Sequence, residues 1–441
     1  MIALIDVAEA DGLPDLLEVA DDWCEVVVVN ASETPWTAEQ TAMLDDVVPY
    51  LDAAGLDIDE LCRRLAEHGV DGVLTFSDEM IPTVSSVAER LGLPYNSPET
   101  AAAITHKNLQ RLVLDEAGLQ QQRHATFQSE EELAAAVRTV GFPAVLKPVY
   151  GNGSTNVFAV DDEQQLRAAL VQAAEGAPAG ATRFDGIHGF GEQAPWQLEE
   201  RLVGVAHPIA EWLGDYVSVE TLTLGPGDHW HFWVTDRLPL LPPFREGGLG
   251  GPTLLPEDQR DEVCAFVARA LTALGVMAGI THTEVKLTAD GPRIIEVNGR
   301  LGGFLRDVIP KVSDINPILL AMQAAVGSAV RRPVRSAGYS YAVFIHGPVG
   351  ATRVRALADP AELLAVPGVW RVDVRTSPGA SIDARVGTRG RPQTVWLTAA
   401  TPEALCSAVA VVHHIVAEGN EFDVPSAGLA APLASISAEW K

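Results

Sequence analysis

The 441-residue chain reads as a multidomain protein of mixed α/β and α+β class. Three observations predict this. A chain of 441 residues exceeds one core and implies roughly two to four packed units of about 100–200 residues each. A composition of 47% hydrophobic and 20% charged residues fits a globular protein and excludes a disordered one. Short β-branched runs alternate with helical periodicities early in the chain, and strands paired by tight turns follow later.

The first unit, residues 1–98, carries runs at Ile2–Ile5, Val26–Val29 and Gly72–Phe76 suited to buried parallel strands. Helical stretches at Ile58–His68 and Glu79–Leu91 complete a small doubly wound α/β unit, and Leu93-Pro-Tyr-Asn-Ser-Pro98 breaks the pattern. A second unit, 99–200, opens with a helix from about His106 to Ala117 that Gly118 stops. Ser129 with Glu132 starts another as a capping box, ending at Gly141. Then come an apolar strand at Phe142–Pro148, the glycine-rich turn Gly151-Asn-Gly-Ser-Thr-Asn156 and a returning strand at Val157–Val160. Asp162 with Gln165 opens a further helix. In a third unit, 201–332, Val263, Phe266, Val267, Ala270, Leu271 and Leu274 fall at helical spacing before Gly275. Leu238–Pro256, rich in Gly and Pro, reads as a long functional or mobile loop. The last unit, 333–441, shows strands near Tyr339–Ile345 and Val369–Val374 and a helix near Pro402–Glu418.

Acidic residues number 59 against 31 basic ones, a net charge of −28 that disfavours nucleic acid and anionic membranes as partners. Only five of the basic residues are lysines: Lys107, Lys147, Lys286, Lys311 and Lys441. Cys24, Cys62, Cys264 and Cys406 lie far apart, which argues against zinc and disulfides and for a reducing cytoplasm. The opening MIALIDVAEADGLPDLL lacks the basic flank of a signal peptide, and no run approaches the roughly 20 apolar residues of a membrane span. A soluble, cytoplasmic protein is expected.

Two stretches carry chemistry. Lys147 ends an apolar strand just before the glycine-rich turn, where a cation and freed backbone N–H groups suit nucleotide phosphates. A hairpin turn with an incidental lysine is the alternative. Thr281-His-Thr-Glu284-Val-Lys and Ile294-Ile-Glu296-Val-Asn298-Gly-Arg300 read as two strands of a hairpin turning at Ala289-Asp-Gly-Pro292. Antiparallel pairing brings Glu284 and Glu296 onto one face, with Asn298 two residues on. Two carboxylates and an amide oxygen are hard ligands suited to Mg²⁺, and Arg300 continues the face toward a phosphoryl group or oxyanion. A solvated hairpin face is the competing reading. Leu301-Gly-Gly303 leaves backbone that a ligand could approach.

Taken together, Thr-His-Lys107-Asn-Leu-Gln-Arg, Pro-Ala-Val-Leu-Lys147-Pro, Leu-Glu-Glu200-Arg-Leu-Val203-Gly, Tyr-Val-Ser-Val-Glu220, Thr-His-Thr-Glu284-Val-Lys-Leu and Glu-Val-Asn298-Gly-Arg300 stand in a familiar order. Over roughly residues 1–330 the chain resembles the ATP-grasp superfamily, and within it the carboxylate–amine ligases that include bacterial L-amino acid (dipeptide) ligases. The resemblance implies an ATP-grasp fold with a Rossmann-like N-terminal domain and a small C-terminal α+β domain. It implies ATP and one or two Mg²⁺ (or Mn²⁺), small carboxylate and amine substrates, and a homodimer. Lys107 and Lys147 would touch ATP phosphates, with Ser154 in the covering loop. Glu199, Glu200, Arg201, Leu202 and Val203 would form the hinge that recognises adenine. Glu284, Glu296 and Asn298 would hold metal. Arg300 would stabilise the acyl phosphate, Glu246 would hold or deprotonate the amine, and Phe304 would limit the second substrate's size. Leu249 stands where the dipeptide ligases carry a histidine, so the substrate pair is expected to differ.

The implied reaction is attack of a carboxylate on the γ-phosphate of ATP, followed by attack of an amine on the acyl phosphate. The alternatives are another ATP-grasp chemistry, such as carboxylation, and a synapsin-like module that binds ATP without reaction. The Gly151–Asn156 and Leu238–Pro252 segments are expected to close over the site. His413 and His414, on the last helix, and His346, at a turn, are read as structural. Trp212, Trp230 and Trp233 are read as core or substrate lining, and the role of His282 is open.

Overall fold

The computed structural model describes residues 1–6, 17–20, 23–32, 35–45, 47–174 and 196–424. Part of the opening stretch and Lys441 lie outside the described residues.

The first unit is built as its pattern predicts. Ile2–Asp6 pairs in parallel with Val26–Asn30 and Gly72–Leu74, and Val26–Asn30 with Tyr50–Asp52. The two longer strands are buried at every position, as strands covered on both faces must be. One face packs on the helices Ile58–Glu67 and Ile81–Leu91. Asp57 caps the first by accepting from Glu60 N at 2.9 Å, and left-handed Gly92 ends the second. The other face is covered from far along the chain: Ile318, Met322 and Ala325 of the helix Pro317–Ala325 pack on Ile2, Leu4, Val26 and Leu74. The approach is close enough that a Cβ on Gly72 would lie 2.6 Å from Ala325 O.

A four-stranded antiparallel sheet follows, ordered His124–Phe127, Trp196–Glu200, Ala144–Pro148, Phe158–Val160. Leu133, Ala136 and Val140 from one helix and Leu166 and Ala169 from another bury its apolar face. Ser129 accepts from Glu132 N at 3.2 Å, while the Glu132 carboxylate reaches back to Gln128 N.

The third sheet has eight strands, in the order Gly291–Asn298, Gly279–Thr288, Tyr216–Gly225, Asp228–Arg237, Gly248–Gly251, Tyr339–Ile345, Gln393–Ala399, Val369–Val374. It runs without interruption from the third unit into the last. The strand that joins them, Gly248–Gly251, lies inside the stretch 238–256 that the sequence suggests is loop. It pairs with Asp236–Arg237 on one side and Ser340–Val343 on the other. Its glycines answer to packing: a Cβ on Gly250 would meet Tyr341 Cγ at 2.1 Å and one on Gly251 would meet Trp233 Nε1 at 2.7 Å. The helix Glu257–Ala273 covers one face and Leu305–Val312 the other.

The outer strand Gly291–Asn298 would leave its free backbone edge unpaired. Two glutamines complete it. Gln110 accepts from Val297 N at 2.9 Å and donates to Val297 O at 2.7 Å, and Gln120 does the same for Ile294 at 2.6 and 2.9 Å. Arg111 donates to Ile295 O at 2.6 Å. The polar face of the helix Lys107–Glu116 therefore fixes the strand that carries Glu296.

Candidate active site

The three sheets enclose a cleft of about 1480 Å³. Lys107, Lys147, Ser154, Glu199, Glu200, Arg201, Leu202, Glu246, Glu284, Glu296, Asn298 and Arg300 all line it, as do Leu249 and Phe304. Val203 is outside the lining and 75% exposed. Trp212, Trp230 and Trp233 are also outside it; they pack against Tyr341, against Phe232 and within the core.

The carboxylate hairpin has the predicted register. Glu284 faces Glu296 directly and His282 faces Asn298, so all four share one side of the sheet. Burial would raise the Glu284 pKa, but His282, Arg237 and Arg300 hold it down to about 2, so it is an anion at neutral pH. Glu296 pairs with Lys107 Nζ at 2.9 Å, and the same ammonium donates to Gly151 O at 2.6 Å. One lysine thus spans the metal-type carboxylate and the base of the glycine-rich turn.

Lys147 is buried and donates to Glu199 Oε1 at 2.5 Å, while Arg111 Nε and Gln197 Nε2 hold Oε2 at 3.1 and 2.9 Å. Burial pushes the Lys147 ammonium down to about 8, against the opposing pull of Glu199. Burial works the other way on Glu199, yet Arg111 and Lys147 hold it at about 2. The Glu199 side chain therefore belongs to the lysine, and only its backbone faces the hinge. Gln122 donates to Glu200 O at 2.7 Å, and Arg201 N donates to Pro143 O at 3.2 Å, which fixes that hinge to the four-stranded sheet.

Several residues that sequence reasoning left unassigned complete the cleft. Asp78 follows the strand Gly72–Leu74, at the end of a parallel sheet where ligand clefts form; its Oδ2 accepts from Arg300 Nη2 at 2.6 Å and Nε at 3.0 Å. Arg237, fully buried, is ion-paired with Glu246 and lies 3.5 Å from Glu284. His282 gives one ring nitrogen to Glu220 and sets the other 3.0 Å from Arg237 Nη2. Burial would lower the His282 pKa, but Glu220, with Glu284 beside it, raises it to about 9. Glu220 in turn accepts from Gly302 N at 3.1 Å, which seats the backbone after Arg300. Glu220 stood in a quoted motif, and Asp78 sits where a strand ends; Arg237 carried no local signal.

Leu249 is 2% exposed and packs with Trp233, Phe344 and Leu305, so no titrating group stands at that position. Phe304, left-handed at φ 68°, stacks near Phe344 and beneath the Arg391 guanidinium at 4.5 Å. His346 is not a bare turn residue: its Nε2 meets Glu246 O at 2.9 Å. Among the described residues, no group of three or more His, Cys, Asp and Glu is placed to hold a metal; the hairpin offers two carboxylates and an amide. That donor set, all oxygen with one carboxylate strongly ionised, fits Mg²⁺. No helix of the described residues is long and apolar enough to cross a membrane.

Comparison with known proteins agrees with this geometry. Residues 24–95 match the model of the ATP-grasp N-terminal domain. Human carnosine synthase 1 is 29% identical over 293 residues, 63% of this chain and 34% of its own length. The alanine–anticapsin ligase of Bacillus subtilis is 25% identical over 266 residues, 58% of this chain and 54% of its own length. The chain therefore spans about a third to a half of the curated relatives it matches. The crystal structure of L-amino acid ligase from Bacillus licheniformis superposes with a TM-score of 0.74 at 23% identity, covering 96% of this chain and 99% of that one. The first unit thus matches the ATP-grasp N-terminal domain, and the chain as a whole shares the fold of the solved ligase.

Proposed function

We propose that the protein is an ATP-dependent carboxylate–amine ligase that joins amino acids or amino-acid-like substrates through an acyl phosphate. One observation carries the reading: four separate stretches of sequence deliver three of the five lysines, the Glu284–Glu296 pair with Asn298, Arg300 and Glu246 to a single cleft. The names of its relatives, an L-amino acid ligase, carnosine synthase and alanine–anticapsin ligase, support the amide product.

In this reading the polyphosphate lies along Lys107 and Lys147 beneath the turn containing Ser154, and the backbone of Glu199 to Leu202 reads the adenine edge. Glu284, Glu296 and Asn298 would hold one or two Mg²⁺, which when bound neutralise phosphate charge. A substrate carboxylate oxygen bonds to the γ-phosphorus, the bond to the bridging oxygen breaks, and ADP leaves. Arg300 holds the acyl phosphate. Glu246 takes one proton from the incoming ammonium, the freed amine forms the C–N bond, and the C–O bond to phosphate breaks. The phosphate leaves with the electron pair and the second amine proton. Arg237 keeps Glu246 in place. The four cysteines are all unpaired, which supports a reducing cytoplasm as its setting.

Incubation with ATP, Mg²⁺ and pooled amino acids is expected to release phosphate and yield a product whose mass is the sum of two substrates less water. ADP release without any coupled mass, across acid and amine pools, would refute the ligase reading.

The lysine has its own signature. Below about pH 8 the free protein already carries the Lys147 charge; above it, a proton must be taken up as the nucleotide binds. Affinity should then fall as pH rises, by up to about tenfold per unit. Arginine stays charged throughout, so Lys147→Arg should flatten the slope whatever its absolute affinity. Calorimetry between pH 7.5 and about 9.5 measures both; parallel slopes would remove Lys147 from the phosphate site.

A further inference from the structure

We infer that Thr388 is a positioning residue that couples the glycine-rich turn to Glu246, so that the phosphate cover and the amine side of the cleft form together; this rests on the ligase reading above. Between the adjacent strands Val369–Val374 and Gln393–Ala399 the chain leaves the sheet and crosses back over the cleft, forming the short turn Ala384–Gly390. That strap docks on the glycine-rich turn through three hydrogen bonds. Thr388 N donates to Gly153 O at 2.9 Å, Asn156 N to Arg385 O at 3.1 Å, and Thr155 Oγ1 to Val386 O at 3.2 Å. Gly387 makes the approach possible: at φ 69° its missing Cβ would lie 2.0 Å from Gly153 O.

The glycine-rich turn needs such support. Ser154 and Asn156 both sit at positive φ, 59° and 52°, a region that costs non-glycine residues about 1 kcal/mol or more each and persists only when surroundings hold it. The same strap residue that meets Gly153 also meets the substrate side. Thr388 Oγ1 accepts from Glu246 N at 3.1 Å, and Thr388 O accepts from Arg391 Nη1 at 2.9 Å. Arg391 Nε is anchored on Thr394 Oγ1 at 2.8 Å, on the large sheet. Three polar groups of one residue, 4% exposed, therefore bind the turn, the Glu246 segment and the sheet. Released from Glu246, the turn would cover the phosphates with the amine poorly placed. Water oxygen would then bond to the acyl carbon instead, returning the carboxylate and phosphate with ATP consumed and no amide made.

Thr388→Val removes the hydroxyl acceptor and leaves the N–H to Gly153 intact. Hydrogen exchange of the full chain without substrates tests the coupling directly. Exchange of the Glu246 amide and of the 151–156 amides should both quicken, by roughly three- to tenfold, the worth of one hydrogen bond. In turnover, KM for the amine and the ratio of ADP to amide should rise by a similar factor while nucleotide affinity holds within about twofold. Thr388→Ser should restore both readouts, and Gly387→Ala should free the turn from the strap and quicken exchange at 151–156. Faster exchange at Glu246 with an unchanged turn would overturn the coupling, whether or not the wild-type protein forms an amide. So would a folded Thr388→Val protein with the wild-type ADP-to-amide ratio.

Discussion

Arg300→Met should lower ATP-dependent amide formation by roughly a hundred- to a thousandfold, the usual cost of removing a donor aimed at developing negative charge. Nucleotide affinity should change little, because Lys107 and Lys147 carry the phosphates in this reading. The guanidinium is not free. It is held by two hydrogen bonds to Asp78, and its Nη1 donates to Leu301 O at 3.0 Å. Asp78 comes from the first unit and Arg300 from the third, so the contact joins two units at the cleft. The Asp78 side chain is only 9% exposed, and removing its partner leaves a buried charge at a cost of about 3 kcal/mol. A loss of activity in Arg300→Met alone could therefore be a loss of folding. The double substitution Arg300→Met with Asp78→Asn removes both charges and should recover most of the stability, read by urea unfolding, without recovering turnover. Turnover of that double variant within a few-fold of wild type would exclude Arg300 from the chemistry.

What could be read from the sequence is what depends on near neighbours. The hairpin is the clearest instance. Period-two alternation around Glu284 and Glu296, with Asp-Gly between the strands, implied the register that pairs them, and the structure has that register. Caps at Ser129 and Asp162 were legible because the capping side chain and its amide lie three residues apart. The features that escaped are long-range. Nothing near residues 317–325 announces that this helix covers a sheet formed by residues 2–74, and only the Gly72 contact, seen in three dimensions, explains the glycine. The strand Gly248–Gly251 was hidden because glycine lowers strand propensity; its glycines make room for Tyr341 and Trp233, which are remote in sequence. Arg237 and Thr388 escaped for the same reason. Each is an ordinary residue until Glu246 is placed beside it.

Glu296→Gln should abolish saturation by Mg²⁺ and lower turnover by about three orders of magnitude, since a metal-held carboxylate is worth several kcal/mol in charge stabilisation. Glutamine keeps the length and the backbone clamp: Gln110 and Gln120 bind main-chain atoms of Ile294 and Val297 rather than the Glu296 side chain. The fold should therefore survive. Lys107 loses its carboxylate partner but keeps Gly151 O at 2.6 Å, so the base of the glycine-rich turn stays tethered. The sign of the effect on nucleotide binding separates the metal reading from a simple salt bridge. Without metal, removing a negative charge beside Lys107 should leave ATP affinity unchanged or slightly tighter, because the lysine is released toward phosphate. With Mg²⁺ present, affinity should fall, because the cation has lost one of two charged ligands. Titrating nucleotide by calorimetry with Mg²⁺ and with chelator, in wild type and Glu296→Gln, measures that crossing. If the substitution weakens binding equally under both conditions, Glu296 acts only through Lys107 and the hairpin is not a metal site. Asn298→Ala supplies the comparison: the neutral ligand should weaken Mg²⁺-dependent binding in the same direction and by less, because an amide oxygen contributes no net charge.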